Sequence, residues 1–210
     1  MSTSSNPQIE FWRGDFGDAY ADRNVASAEQ LQSRRALWAE ILSHTIGAPP
    51  RSILEVGANL GINLRALRAL TSARFLAVEP NDKARAILVD DGVIDAASVR
   101  GGMATAIDFP DGAAELAFTS GVLIHIHPDQ HEASIREIHR CSSRWLVAIE
   151  YFSDKLENIP YRGHQDRLFK RDFGGLWLDV FPNLRVAAYG FAWKRITRLD
   201  NLTWWLFEKR

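Results

Sequence analysis

Short apolar runs and helical patterns alternate through the middle of the chain. Apolar runs of strand length occupy residues 52–56, 74–78, 114–119 and 145–149, and a weaker run occupies residues 97–100. Apolar residues at helical spacing predict helices over residues 27–46, 60–70, 82–89 and 128–140. Strands that alternate with helices are typical of a parallel sheet with helices on both faces. The pattern therefore predicts an α/β fold.

The two ends of the chain depart from this regular alternation. Residues 1–26 begin with a polar tail, residues 1–7, and continue with an aromatic cluster that we expect to form a lid, namely Phe11, Trp12, Phe16 and Tyr20. Residues 27–210 are predicted to form one domain, in which the polar and irregular segment 154–176 faces the substrate. Apolar runs at residues 184–193 and 202–208 predict a C-terminal pair of antiparallel strands.

Composition narrows the class of protein. The chain of 210 residues is 46% hydrophobic and 24% charged, as expected of one globular domain. Its 25 basic and 26 acidic residues give a net charge of −1, which disfavours a general nucleic-acid-binding surface. The single cysteine, the polar N-terminus and the lack of a long apolar run predict a protein without disulfides, signal peptide or membrane span. We therefore expect a cytoplasmic protein.

The segment Ile53–Gly61 carries the most specific signal in the chain. It joins an apolar strand that contains Glu55 to a turn bounded by Gly57 and Gly61. Glycine lets the backbone turn tightly and approach a ligand, but two glycines of the dinucleotide fingerprint are missing, which disfavours NAD. Glu79 ends the second predicted strand, 22 residues after Gly57, where a carboxylate can accept hydrogen bonds from a ribose. This combination favours a nucleoside cofactor without a pyrophosphate, such as S-adenosylmethionine.

The motif Glu55-x-Gly57-x-x-x-Gly61, together with Glu79, resembles the motifs of class I S-adenosylmethionine-dependent methyltransferases. Further segments match one family within this class: Phe11–Gly17 with Tyr20, Arg23 and Asn24, then Gly57–Leu64, Gly121–Ile126, Tyr161–His164, Leu168–Phe173 and Asp200–Trp204. From about residue 9 to residue 209 the chain resembles the pseudaminic acid biosynthesis-associated methylases. The resemblance implies a Rossmann-like fold with a seven-stranded, mostly parallel sheet and S-adenosylmethionine as the cofactor.

The motifs and the strand ends define an expected set of cofactor-binding residues. These are Glu55, Gly57, Asn59, Gly61, Asn63, Glu79, Met103, Ala104 and Gly121. One segment departs from the pattern of many class I methyltransferases, because no acid follows the third strand to bind the adenine amino group. We therefore expect backbone groups near Met103 and Ala104, together with apolar packing, to hold the adenine.

The candidate catalytic residues follow the fourth and fifth strands, since ligands of such sheets bind outside the carboxyl ends of the strands. They are His125, Glu150 and Tyr151. His125 could act as a general base or could orient a loop, and Glu150 could serve the acceptor or cap local backbone. The three histidines of the stretch 125–131 could also bind a metal, but no cysteine or evident carboxylate completes a ligand set, so no metal is expected.

The candidate substrate-binding residues come from the aromatic N-terminus and from two loops. They are Trp12, Phe16, Tyr20, Arg23, His127, Tyr161, Arg162, His164, Arg167, Lys170 and Arg171. The aromatic residues could close over the substrate and exclude water, or could staple the N-terminus to the core. The basic residues could clamp a carboxylate or phosphate, although a charged loop can also be merely solvated.

These observations predict methyl transfer from S-adenosylmethionine to an oxygen or nitrogen of a small polar metabolite. The family name favours a sugar acid or a related natural-product intermediate. One alternative is N-methylation of an amine or guanidine, motivated by the acids Glu150, Asp154, Glu157 and Asp166. Another is a non-catalytic protein that binds the cofactor. The tryptophans Trp177, Trp193, Trp204 and Trp205 are expected in the core or at a subunit interface, which would suit a homodimer.

Overall fold

The computed structural model describes residues 7–23 and 27–210. The polar tail up to residue 6 and the motif residue Asn24 lie outside the described residues. The helices are α1 (Pro7–Arg13), α2 (Asp15–Arg23), α3 (Ala28–Ser43), α4 (Ile62–Leu67), α5 (Asp82–Asp90), α6 (His131–Cys141), α7 (Phe173–Val180) and α8 (Lys194–Thr197). The strands are β1 (Ser52–Val56), β2 (Arg74–Val78), β3 (Val99–Arg100), β4 (Ala114–Ser120), β5 (Ser142–Glu150), β6 (Glu157–Asn158), β7 (Phe169–Lys170), β8 (Arg185–Ala192) and β9 (Leu202–Glu208).

Seven of these strands form one sheet, in the order β3-β2-β1-β4-β5-β9-β8. The strands from β3 to β5 are parallel, and β9 runs antiparallel between β5 and β8. The predicted seven-stranded, mostly parallel α/β sheet is therefore confirmed. The order reverses between β1 and β4, so the crevice expected at such a switch point lies at the carboxyl ends of these two strands.

Apolar side chains on the two faces of the sheet form two cores. One face packs against α3, α4 and α5 through residues that include Trp38, Leu64 and Leu88. The other face packs against α6 and α7 through residues that include Ile135 and Trp177. Successive residues of β1 alternate between these two cores, as the period of a strand requires. Burial on both faces explains why the central strands are continuous apolar runs in the sequence.

Most predicted boundaries agree with the structure within a few residues. Ser27 and Gln30 form the predicted capping box of α3. The helix expected from residue 128 begins with a 3-10 turn at Pro128–Gln130, and α6 proper begins at His131. Trp177, Trp204 and Trp205 are buried, whereas Trp193 is exposed.

Helix α7 was not expected within or after the irregular segment. Its first turn contains Gly174 and Gly175, which weaken a helical pattern in the sequence. Neither position has room for a larger side chain. A Cβ on Gly174 would lie 2.2 Å from the indole nitrogen of Trp205, and a Cβ on Gly175 would lie 2.5 Å from a carboxylate oxygen of Asp172. The Asp172 side chain caps the helix by accepting a hydrogen bond from the Gly175 amide. Among the described helices, none is long and apolar enough to cross a membrane.

Candidate active site

A cavity of about 240 Å³ opens at the carboxyl ends of β1, β2 and β4, at the predicted edge of the sheet. Helices α1, α2 and α3 close its other sides. The structure brings together in its wall the majority of the predicted cofactor residues and three of the predicted catalytic or substrate residues. These wall residues are Glu55, Gly57, Asn59, Asn63, Glu79, Met103, Ala104 and Gly121, and Trp12, Tyr20 and His125.

The turn after β1 fits tightly under the turn after β4. Gly57 has a φ of 80°, and a Cβ added there would lie 2.5 Å from a methyl carbon of Val122. A side chain at this position would therefore be strained and would also push into the β4 turn. Gly61 likewise has a positive φ, but its Cβ would meet Leu88 and Val93 in the core. Gly61 thus shapes the start of α4 and does not line the cavity.

Glu79 organises the loops at the ends of β1 and β2. One carboxylate oxygen accepts a hydrogen bond from the Asn59 amide at 2.7 Å, and the other accepts one from the Asn81 amide at 2.9 Å. Burial raises the pKa of Glu79 above its usual value, and these two amide donors oppose that rise. Each carboxylate oxygen has a second lone pair, so Glu79 can hold the loops and still accept hydrogen bonds from a ligand.

A buried polar network forms the wall beside Glu55. Asn63 donates to Glu55 at 2.6 Å, and its carbonyl oxygen accepts from Arg34 at 2.9 Å. Trp38 donates to the same oxygen at 3.3 Å. Within the described part of the chain, the second oxygen of Glu55 and Nε of Arg34 are buried without a hydrogen-bond partner. Burial raises the pKa of Glu55 to about 8 and lowers the pKa of Arg34.

The turn that follows β3 forms the far end of the cavity. Met103 and Ala104 line it beside Gly102 and Thr105. The Ala106 amide donates to the Met103 carbonyl, which closes a tight turn. Asp108, the nearest acid in the sequence, lies at the surface within 4.0 Å of Arg100. The carboxylates in the described wall of the cavity are Glu55 and Glu79 alone, so this end presents backbone and apolar groups.

His125 reaches the cavity from a short 3-10 turn after β4, Leu123–His125. Its Nδ1 lies 2.6 Å from the carbonyl oxygen of Arg167. A carbonyl can only accept a hydrogen bond, so Nδ1 carries the proton and the neutral ring keeps a lone pair on Nε2. Burial lowers the pKa of His125 to about 4. The side chain is therefore neutral at physiological pH.

Glu150 and Tyr151 do not reach the cavity, contrary to the expectation that they face the acceptor. The Glu150 carboxylate is fully buried and accepts hydrogen bonds from the amides of Val122, Leu123 and Ile124. It caps the turn that presents His125, which is the alternative role considered for it. The Tyr151 hydroxyl donates to Asp200 at 2.9 Å. The reason is geometric: a strand-end position selects the edge of the sheet and leaves the direction of the side chain open.

Helices α1 and α2 place an aromatic cluster over the cavity. The Trp12 ring lies 5.0 Å from the His125 ring and 5.3 Å from the Tyr20 ring, measured between centroids. Phe16 lies outside the cavity wall, where it stacks on Phe11 at 3.9 Å. Asn81 anchors this helix pair, because its side-chain nitrogen donates a hydrogen bond to Asp18 at 2.8 Å.

The predicted clamp of basic residues is not assembled at the cavity. His164 and Tyr161 pack behind the aromatic cluster, and the Arg167 guanidinium lies 5.0 Å above the Phe11 ring. The other residues of the set also lie outside the cavity wall: Arg23, His127, Arg162, Lys170 and Arg171. The side chains of Arg23, Arg162 and Lys170 lie over aromatic rings, and His127 caps a turn. Among the described residues, no group of three suitable side chains could hold a metal ion.

Sequence reasoning missed six polar residues at the cavity. Arg34 and Gln30 come from α3, Ser120 ends β4, Asn81 caps the start of α5, Thr105 lies in the turn after β3, and Gln130 precedes α6. The position of Ser120 beside Gly121 and of Asn81 beside Glu79 could have indicated two of them. Helix α3 precedes the first strand, and nothing local in the sequence shows that it packs against the cavity.

Residues 54–144 match the family model of the methyltransferase domain. The matched segment is similar to members of this family. It spans the core of the sheet from β1 to the start of β5 and contains the glycine turn, Glu79 and the His125 turn. No curated protein matches the chain in sequence.

Solved structures share the fold of this chain. The chain is similar to the 1,6-didemethyltoxoflavin-N1-methyltransferase of Burkholderia thailandensis, with a TM-score of 0.72 and 18% identity over 100% of this chain and 93% of that chain. It is also similar to the magnesium protoporphyrin IX methyltransferase of Synechocystis PCC 6803, with a TM-score of 0.70 and 10% identity over 100% of both chains. The cyclase SpnF has a TM-score of 0.59 and 14% identity over 89% of this chain and 85% of that chain. At these identities the likeness concerns the fold.

Proposed function

We propose that this S-adenosylmethionine-dependent methyltransferase transfers the methyl group to an oxygen or nitrogen of a small polar metabolite. The observation that carries the proposal is the pair of unpartnered buried atoms in the cavity wall, one on Glu55 and one on Arg34. Buried polar atoms without a partner are costly, so such a pair favours a ligand that completes it. The similar structures from Burkholderia and Synechocystis contain S-adenosylhomocysteine and S-adenosylmethionine, respectively.

The charges of an α-amino acid group complement those of Glu55 and Arg34. The free oxygen of Glu55 would accept from an ammonium group, whose positive charge would draw the carboxyl back to its ionised form. The free Nε–H of Arg34 would donate to a carboxylate. Asn63 holds both side chains in place by bonding to each of them. The methionine end of the cofactor carries both of these groups.

The remaining cavity wall fits a nucleoside. Glu79 retains lone pairs for ribose hydroxyls, and the Met103–Ala104 segment offers backbone groups and apolar surface to a flat base. The pyrophosphate of NAD has no glycine-rich helix start of the expected pattern to bind it. The predicted roles of these residues therefore remain our proposal for the cofactor site.

S-adenosylmethionine, when bound, supplies a methyl group on a positively charged sulfur. The residues of this chain bind it, exclude water and handle one proton. Helices α1 and α2 cover the cavity with Trp12 and Tyr20, which limits access of water. Nε2 of His125 can accept the proton of the acceptor, while its Nδ1–H continues to donate to the Arg167 carbonyl. Glu150 acts as a positioning residue, since it holds the turn that carries His125.

The resemblance to the pseudaminic acid-associated family favours a sugar acid or a related natural-product intermediate as the acceptor. The alternative of a cationic amine or guanidine gains no support from the cavity, because Asp154, Glu157 and Asp166 lie outside the described wall. A non-catalytic cofactor-binding protein remains the alternative of another class. It would bind S-adenosylhomocysteine and form none from S-adenosylmethionine with any acceptor. The expected homodimer and cytoplasmic location also remain predictions, of which sedimentation equilibrium tests the first.

Arg34→Met tests the proposed cofactor site. We expect it to weaken S-adenosylhomocysteine binding at least tenfold and to leave 5′-methylthioadenosine, which lacks the amino acid end, unaffected. Isothermal titration calorimetry with both ligands measures the two affinities. Arg35→Met is the matched control, because Arg35 is exposed on the same helix. Equal weakening of both ligands, or of neither, would contradict the proposed placement of the amino acid end.

A further inference from the structure

We infer that the acceptor is a planar aromatic or heteroaromatic molecule that carries an ionisable O–H or N–H on its ring. This inference rests on the proposed function and concerns the same cavity. The shape of the cavity wall between Trp12 and His125, its few charges and the basic nitrogen of His125 indicate which small metabolites can be the acceptor.

The shape of this wall favours a flat acceptor. Trp12, Tyr20 and His125 line the cavity, and Trp12 contacts both other rings at centroid distances of 5.3 Å and 5.0 Å. Val122 and Ile126 add apolar surface from the turn after β4. Aromatic faces favour offset or edge-on contacts with a further ring. A flat acceptor can bury one face of its ring against such a wall.

Further aromatic rings pack behind this wall and support it. Tyr161 lies 4.9 Å from the His125 ring, and Phe16 lies 5.4 Å from the Trp12 ring. The Arg167 guanidinium packs on Phe11, so the basic loop covers the outside of the cluster. A rigid wall of this kind loses little side-chain freedom when a ring binds, which favours binding by stacking.

The cavity wall carries few charged side chains. The described wall contains two carboxylates, Glu55 and Glu79, and both belong to the proposed cofactor site. A cationic amine would therefore be buried without a counter-charge, which is costly. A sugar acid would need a partner for its carboxylate and for each of its several hydroxyls. The one arginine in the described wall, Arg34, is already assigned to the cofactor.

The acceptor must also lose a proton, and His125 is the base in the wall that can accept it. The Arg167 carbonyl holds His125 in one neutral tautomer, and burial lowers the pKa of His125 to about 4. Such a base removes a proton from a phenol, an enol or a ring N–H far more readily than from an aliphatic hydroxyl. The acceptor with the more acidic proton is thus the better match.

The proposed step balances in atoms and electrons. The lone pair of the acceptor oxygen or nitrogen forms the bond to the methyl carbon as the bond between sulfur and that carbon breaks. The electron pair of the broken bond stays on sulfur, which gives S-adenosylhomocysteine. The acceptor proton moves to Nε2 of His125 and then to water.

A binding experiment on the complex with S-adenosylhomocysteine tests this inference. The probes are 4-nitrocatechol for the ionisable aromatic class, N-acetylneuraminic acid for the sugar acids and agmatine for the cations. Isothermal titration calorimetry gives the affinities, and the absorbance of 4-nitrocatechol reports its ionisation. We expect 4-nitrocatechol to bind at least tenfold more tightly than the other two probes. Trp12→Ala should weaken its binding at least tenfold, whereas the control Trp193→Ala, which removes an exposed indole, should not.

The outcomes separate this inference from the proposed function. If the protein binds S-adenosylhomocysteine but prefers N-acetylneuraminic acid or agmatine, the aromatic acceptor is wrong and the cofactor site stands. Equal loss of 4-nitrocatechol binding in Trp12→Ala and Trp193→Ala would also overturn it. If the protein does not bind S-adenosylhomocysteine, the proposed function is wrong, and the inference that rests on it is wrong as well. The melting temperature and cofactor affinity of Trp12→Ala show whether that variant is folded.

Discussion

Glu79 connects two loops through one carboxylate, because its two oxygens accept from the amides of Asn59 and Asn81. Both loops line the cavity, and so does Glu79 itself. We propose that Glu79 acts on the ligand in two ways, by direct hydrogen bonding and by holding the loops that surround the cavity.

We predict that Glu79→Ala weakens S-adenosylhomocysteine binding by roughly 1–3 kcal/mol, the value of a hydrogen bond to a charged group together with the donors left unpaired. This is about a 5- to 150-fold rise in Kd. Calorimetric titration measures it. Glu115→Ala is the control, since Glu115 pairs with Arg51 at the opposite edge of the sheet. An unchanged Kd in Glu79→Ala would remove Glu79 from the site.

Glu150 gives a prediction about pH. Burial raises the pKa of Glu150 to about 7, so the folded protein retains this proton at pH values where the unfolded chain has lost it. The contribution of Glu150 to the free energy of unfolding therefore falls by up to ~3 kcal/mol as the pH rises from about 4.5 to about 7.

The amide side chain in Glu150→Gln does not titrate. The variant should therefore lack the fall in the free energy of unfolding that Glu150 causes as the pH rises. Urea unfolding of both proteins between pH 5 and pH 8 measures the difference in unfolding free energy. The free energy of unfolding of the natural protein minus that of the variant should fall as the pH rises. Other groups titrate alike in both proteins, so their contributions cancel in this difference. Parallel curves over the whole range would show that Glu150 has an ordinary pKa.

At the residue scale, sequence patterns predicted positions at strand ends better than the directions of side chains. Glu79 and His125 point into the cavity, whereas Glu150 points to the amides of a neighbouring turn. Arg34 was missed because its partner Asn63 lies on another helix, 29 residues away in the sequence. A contact of this kind follows from tertiary packing, which no local pattern encodes.

The helix pair α1–α2 is the element that closes the cavity. Gly17 allows the two helices to approach, because a Cβ there would lie 1.8 Å from the Trp12 carbonyl oxygen. The same Cβ would lie 2.9 Å from the Asn81 side chain, which anchors the pair. The predicted aromatic lid thus depends on a close backbone contact at a glycine.

We predict that Gly17→Ala displaces α1 and weakens S-adenosylhomocysteine binding about tenfold, since the shift moves Trp12 off the cavity. Hydrogen exchange of residues 7–23 should become faster, while exchange in the sheet stays the same. Gly47→Ala is the control, because a Cβ at Gly47 meets nothing within 4 Å. Identical exchange and affinity in the two variants would show that α1 and α2 do not cover the site.

At the element scale, the regular strands and helices were predictable, and the segment between β5 and β8 was not. Helix α7 carries two glycines in its first turn, and strands β6 and β7 are two residues long. Short elements of this kind are stabilised by what they pack against, so they leave no periodic pattern in the sequence.

At the scale of the whole molecule, the order of strands in the sheet determines where the cavity lies. Alternation of strands and helices restricts the topology strongly, because crossovers between parallel strands are right-handed. The switch point between β1 and β4 then locates the cavity, and the glycine turn and Glu79 lie there as expected. The two C-terminal apolar runs predict an antiparallel pair but do not show which strand lies beside β5, and in the structure that strand is β9.

The central claim is that this cavity binds S-adenosylmethionine and its product. Thermal unfolding of the purified protein with S-adenosylhomocysteine, and in parallel with NAD, tests it most directly. A ligand at 100 times its Kd stabilises the folded state by about 2.7 kcal/mol, which raises Tm by roughly 5–10 °C for a chain of this size. We predict a saturable rise of Tm with S-adenosylhomocysteine and none with NAD. An unchanged Tm with S-adenosylhomocysteine, or an equal rise with NAD, would contradict the claim.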